Sequence, residues 1–198
     1  MKATPNLAVN GALSCLLLGW RQRDAPATLD VRRDSSDQMI SVMKDRPLVR
    51  ALTPDDVPLM RELLALFGRA FDDVESYSAY QPDDRYLEKL LSSETFIAIS
   101  ALAGATTIGG LAGYVLPKFE QARSEFYIYD LAVDEPYRRK GVATAIVEKL
   151  KEIAASRGIY AIFVQADLDD EPAIALYTAL GNREDVLHFD IAPRKSAG

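Results

Sequence analysis

Residues 124–144 read Ser124-Glu125-Phe126-Tyr127-Ile128-Tyr129-Asp130-Leu131-Ala132-Val133-Asp134-Glu135-Pro136-Tyr137-Arg138-Arg139-Lys140-Gly141-Val142-Ala143-Thr144. The first ten are rich in aromatic and β-branched side chains and specify a strand. Strict alternation puts Phe126, Ile128 and Asp130 on one face and Tyr127, Tyr129, Leu131 and Val133 on the other. Asp134-Glu135-Pro136 closes the strand. A helix comes next, with Val142, Ile146, Val147, Leu150 and Ile153 at the spacing of one apolar stripe. Arg138, Arg139 and Lys140 precede its first turn, and Gly141 and Ala143 let a ligand approach its backbone. The free N–H groups there, with the positive end of the helix dipole, form an anion site suited to a diphosphate. A solvated basic loop fits the same residues, and spacing alone leaves both readings open.

Outward from this strand–loop–helix unit, the chain alternates strands and helices. Downstream, Gly158 ends the helix and Ile159–Gln165 forms a strand parallel to the first. A helix over Pro172–Leu180 stops at Gly181, and Glu184–Ile191 is a closing strand. Upstream lie strands at Thr95–Ala101 and Thr107–Leu116 around Gly104. A short helix carries Tyr86, Leu87, Leu90 and Leu91, and a polar connection runs from Asp72 to Pro82. Before it, a helix with Leu59, Met60, Leu63, Leu64 and Phe67 is opened by Thr53-Pro54-Asp55-Asp56. Leu48–Leu52 is a first strand. These elements predict an α/β domain over residues 48–198.

Residues 1–47 differ. They hold seven Lys/Arg and five Asp, a balance of +2, so the domain carries −8 of a net −6. Their apolar run Leu7–Trp20 faintly resembles a secretory signal but is interrupted by Asn10, Gly11, Ser14 and Gly19, and it is too short to span a membrane. The expectation is a poorly ordered extension, or a true start at Met39 or Met43, and a cytoplasmic protein without membrane partners.

Composition removes whole classes of function. One cysteine, Cys15, and one histidine, His188, cannot supply a disulfide framework or a usual zinc ligand set, so no metal is expected. Nucleophilic systems needing an imidazole would rest on His188 alone. An acidic chain lacks the basic face of a nucleic-acid binder and suits cationic ligands. Asp130 stands out because a carboxylate inside an apolar strand is costly unless it faces a ligand or a polar cavity. An aspartate at a bulge, bonded to nearby backbone, is the other reading.

Tyr129-Asp130-Leu131-Ala132-Val133 followed by Pro136–Ala145 resembles the acetyl-coenzyme A signature of the GNAT acetyltransferases, with Arg138, Gly141 and Ala143 at its fixed positions. Ala175-Leu176-Tyr177-Thr178-Ala179-Leu180-Gly181 resembles the second motif of that superfamily, in which a helical tyrosine precedes a Leu-Gly turn. Finer segments, among them Leu66–Phe71, Tyr77–Pro82, Tyr114–Glu120, Val164–Asp167 and His188–Ile191, are similar to the type I aminoglycoside 3-N-acetyltransferases. Gly181-Asn182 departs from the pattern by lacking the aromatic that many members carry there.

The resemblance implies a GNAT fold: a mixed sheet of six to seven strands, splayed between its two parallel central strands and flanked by about four helices. It implies acetyl-coenzyme A as cosubstrate and an acceptor amine that attacks the thioester directly. The acceptor would be a polycationic 2-deoxystreptamine aminoglycoside of the gentamicin type, acetylated at its 3-amino group, with antibiotic resistance as the outcome and a homodimer as the working form. Leu131, Ala132 and Val133 would bind the pantetheine arm through their backbone. Arg138, Arg139, Lys140, Gly141, Val142, Ala143 and Thr144 would hold the diphosphate, and Tyr177 would protonate the leaving sulfur. Asp130 is the first candidate for the base, with His188 second. Asp72, Glu75, Asp130, Asp167 and Asp190 would draw the acceptor's ammonium groups, along with Asp73, Asp169 and Asp170, of which the last two also suit a helix cap. A polyamine or protein amine as acceptor, or a non-catalytic acyl-coenzyme A sensor, remain open alternatives.

Overall fold

The computed structural model describes residues 46–189 and 191–194. The expectations for residues 1–45, and for Asp190, lie outside the described residues. A strand β1 (Leu48–Ala51) leads through a 3-10 turn (Pro54–Asp56) into helix α1 (Val57–Ala70). The Arg50 guanidinium grips Asp56 through two bonds of 2.7 and 2.6 Å. Asp56 also accepts from the Thr53 N–H at 2.8 Å, which fixes the entry into the helix. A π-helical turn (Glu75–Ala79) precedes α2 (Asp84–Leu91), which Asp83 caps by accepting from the Tyr86 N–H. Then come β2 (Phe96–Ala103), β3 (Thr106–Pro117), β4 (Ser124–Val133), α3 (Val142–Ser156), β5 (Ile159–Val164) and α4 (Glu171–Leu180). No described helix is long and apolar enough to cross a membrane.

The strands form one sheet in sequence order, antiparallel from β1 to β4 and parallel between β4 and β5. One face is sealed by α3 over Ile99, Leu111, Phe126, Ile128 and Val133. The other is sealed by α1 and α2 over Phe96, Ala98, Ala112 and Ala132. Gly110 makes room for α1: an added Cβ would sit 2.5 Å from both Leu63 Cδ1 and the Ile99 carbonyl oxygen.

The sheet has five strands among the described residues, not six to seven. The expected closing strand over Glu184–Ile191 is absent there, and Val186, Leu187, Phe189 and Ile191 are strongly exposed. A strand needs a neighbour for its N–H and C=O groups, and this segment has none among the described residues. The expected alternation along β4 also fails. The register with β3 slips between Ala112, opposite Asp130, and Gly113, opposite Ile128, leaving Tyr129 as a bulge residue. The extra residue reverses the phase of the strand beyond it. Asp130 therefore leaves the face of Phe126 and Ile128 and lies with Ala132 toward α1, while Leu131 and Val133 join the α3 side.

Candidate active site

The bulge delivers a carboxylate to a place where a regular strand would bury an apolar side chain. Asp130 is half-buried, and its Oδ1 accepts a hydrogen bond of 3.0 Å from the hydroxyl of Tyr77, 53 residues earlier. The π-helical turn after α1 carries that tyrosine. Its ring is wedged against Phe67 and Phe71, with centroids 6.0 and 5.8 Å away. Burial holds the Asp130 carboxyl above the ordinary carboxylate range, and the Tyr77 bond partly opposes this. Burial and the Asp130 charge push the Tyr77 phenol far up, so it stays a donor. A partly accessible carboxylate with a raised proton affinity is suited to take a proton from an amine.

The same stretch opens the sheet. Pairing between β4 and β5 ends at Ile128 and Val164. Among the described residues no strand lies beside Tyr129–Val133 on that side, so the backbone of Leu131, Ala132 and Val133 faces a gap able to take one more extended chain. Ala132 and Val133 are buried by their side chains.

Beyond the strand, Arg138 turns back and its Nε donates to the Val133 carbonyl at 2.9 Å, pinning the loop to the end of β4. Lys140 reaches over the Tyr137 ring, 5.6 Å from its centroid. Arg139 and Gly141 both have positive φ, at 61° and 77°. Gly141 is required by this conformation rather than by crowding, since nothing lies within 4 Å of an added Cβ. Val142 is buried in the α3 core, so it can offer a ligand only its N–H, whereas Ala143 is half-buried and Thr144 exposed. The turn thus presents the first-turn N–H groups of a 15-residue helix beside the uncrowded Gly141. These residues fit an extended, diphosphate-bearing cosubstrate: arm along β4, phosphates at the helix start.

Tyr177 lies half-buried on α4, and burial, aided by Asp170, pushes its phenol up to about 12. Asp72 precedes and Glu75 opens the turn that holds Tyr77; both are exposed, as is Asp167 beyond β5. Asp73 is engaged in that turn, accepting from the Ser76 N–H at 3.0 Å. Asp170 caps α4 by accepting from the Ala173 N–H at 3.0 Å. No described contact brings these outer carboxylates to Asp130. Tyr77 is the site residue to which sequence reasoning gave no role. Its only local signal is an aromatic within a polar connection, and its partner becomes visible only in three dimensions.

Residues 59–181 match the acetyltransferase (GNAT) family. A solved aminoglycoside acetyltransferase from an uncultured soil metagenomic sample is 57% identical, over 75% of this chain and 99% of its own, with a TM-score of 0.73. A second, also from an uncultured soil metagenomic sample and solved in complex with sisomicin, is 29% identical over 77% of this chain and 99% of its own, with a TM-score of 0.70. The ribosomal protein bS18-alanine N-acetyltransferase of Escherichia coli is 30% identical over 69 residues, 35% of this chain and 47% of that protein. The chain spans about half the length of the curated relatives it matches.

Proposed function

The chain belongs to the GNAT acetyltransferase family, and on that premise we propose that it acetylates the 3-amino group of a gentamicin-type aminoglycoside. The observation that carries this reading is Asp130 itself: a half-buried carboxylate with raised proton affinity, two residues beyond the point where β4 and β5 cease to pair. The similarity to soil aminoglycoside acetyltransferases supports the acceptor class.

Acetyl-coenzyme A, which GNAT acetyltransferases use, supplies an activated acetyl thioester when bound. The chain's own groups do the rest. Backbone N–H and C=O of Leu131, Ala132 and Val133 align the arm as an added strand, and the Arg138–Thr144 turn takes the phosphates. Asp130 takes the proton that makes the acceptor ammonium a nucleophile. Tyr177 keeps its proton at Oη across the working range and offers it to the sulfur as charge develops there. Asp72, Glu75 and Asp167 draw in a polycation over distance. The exposed apolar side chains after α4 and the edge of β5, which has no neighbouring strand among the described residues, favour a homodimer.

A thiol-release assay tests the reading, using the full chain, acetyl-coenzyme A and a panel of gentamicin, sisomicin, apramycin, spermidine and a basic peptide. Turnover of gentamicin is expected, with NMR of the product locating the acetyl group on the 3-nitrogen. Turnover of spermidine or peptide alone overturns it. Cofactor binding without turnover points instead to a sensor.

A further inference from the structure

Four aromatic residues stand opposite one another on four successive strands. Phe96 pairs with Tyr114, Tyr114 with Tyr127, and Tyr127 with Phe163. Directly opposed residues share a face, and this face is that of Ala112 and Asp130. Rings touch at both ends of the row: 5.4 Å between Phe96 and Tyr114, and 5.0 Å, nearly parallel, between Tyr127 and Phe163. The bulge adds a fifth ring, Tyr129, edge-on to Tyr114 at 5.9 Å and to Tyr127 at 6.0 Å. With strands about 4.8 Å apart, the row is roughly 14 Å long, and it lies about two strand residues from Asp130.

Such a row is ordinarily covered, yet Tyr129 is 63% exposed, Phe163 41% and Tyr114 39%. Only Phe96 belongs to the packed cluster under α1 and α2. We propose that the exposed rings of this row, Tyr114, Tyr129 and Phe163, with the half-buried Tyr127 between them, are the platform on which the acceptor's saturated, amine-bearing rings lie while one amine reaches Asp130. The proposal rests on the acceptor reading above and assigns its ring-binding subsite. Two observations select this occupant. The bulge places Tyr129 and Asp130 side by side on one face, so a ligand lying on the row ends at the carboxylate. The phenols of Tyr114 and Tyr127 are held above their ordinary range by burial, so the rings stay neutral, and a neutral phenol ring attracts a cation. C–H-rich ring faces and flanking ammonium groups are the complement of this surface. A linear amine would use Asp130 but little of the row.

The test uses the full chain with gentamicin and, where the wild type accepts it, spermidine as acceptors. Tyr129→Leu and Tyr114→Leu are each expected to raise the gentamicin KM by about five- to tenfold. The acetyl-coenzyme A KM and the kcat at saturation should stay within about twofold, and any spermidine KM should move much less. Tyr129→Phe, which keeps the ring face, should restore the wild-type gentamicin KM. An unchanged gentamicin KM in both leucine variants overturns the platform. So does an equal rise for gentamicin and spermidine. If the leucine variants instead shift a dimer to monomer in light scattering without altering that KM, a second copy covers the face and the platform is overturned. Absence of wild-type thiol release with gentamicin overturns the acceptor reading itself, and the platform with it.

Discussion

Replacing Tyr77 with phenylalanine separates the chemistry of the Asp130 pair from its packing. The ring keeps its contacts with Phe67 and Phe71, and only the hydroxyl that donates to Asp130 at 3.0 Å is lost. That bond favours the ionised carboxylate, and burial opposes it. A hydrogen bond to a charged group contributes about 1.5–3 kcal/mol. Asp130 is half-buried, so the lower part of that range applies. At about 1.4 kcal/mol per pKa unit, the carboxyl should hold its proton roughly one unit higher in the variant. The phenols near Asp130, on Tyr77, Tyr114 and Tyr127, are all raised and stay neutral near pH 7, so they add no competing charge. The base is active when ionised, so the acidic limb of the kcat profile should move up by about one unit, with the plateau within about twofold of wild type. The assay is kcat from about pH 5 to about pH 9 at saturating acetyl-coenzyme A and gentamicin. An unmoved limb, or a loss uniform across the whole range, would refute the reasoning that Tyr77 tunes the base.

The same geometry sets three further outcomes. Asp130→Asn should cut kcat by about two orders of magnitude or more. Because the folded carboxyl is raised, wild-type Asp130 costs stability once pH rises through its folded value, so the variant should melt higher than wild type at pH 8 and lose that advantage near pH 3; a lower melting point at pH 8 would sink the argument. Gly110→Ala should lower stability by about 2 kcal/mol, or roughly 4–8 °C in Tm, because the Ile99 carbonyl cannot move aside; a calorimetric Tm within a degree of wild type contradicts it. Asp56→Ala should cost about 2 kcal/mol at pH 7, from the loss of the Arg50 bonds. Arg50 holds the Asp56 carboxyl well below the usual range, so wild type keeps this contribution above about pH 4 and loses it only in stronger acid. Denaturant melts at several pH values should show the gap narrowing only there, and a constant gap would count against it.

Much of the fold was legible because the elements around residues 124–144 announce themselves locally: an aromatic strand, a proline stop and an amphipathic helix with a glycine start. The closing strand was not, because residues 184–191 have strand composition but strand formation requires a neighbour, and none is present among the described residues. Asp130 could be picked out by the cost of a carboxylate in an apolar run. The face it occupies could not be read, because one slipped residue opposite Ala112 and Gly113 reverses the alternation. Tyr77 and the aromatic row escaped for a related reason. Their meaning lies in pairings across 53 residues and across four strands, set by register and by no local pattern.

The bulge at Tyr129 makes β4 one residue longer than regular pairing with β3 requires. Removing Tyr129 would restore regular pairing and leave Asp130 opposite Ala112, but it would take away the ring that stands beside the carboxylate. Substitutions along this strand alter packing by degrees, whereas loss of the extra residue removes one ring in a single step and keeps both faces.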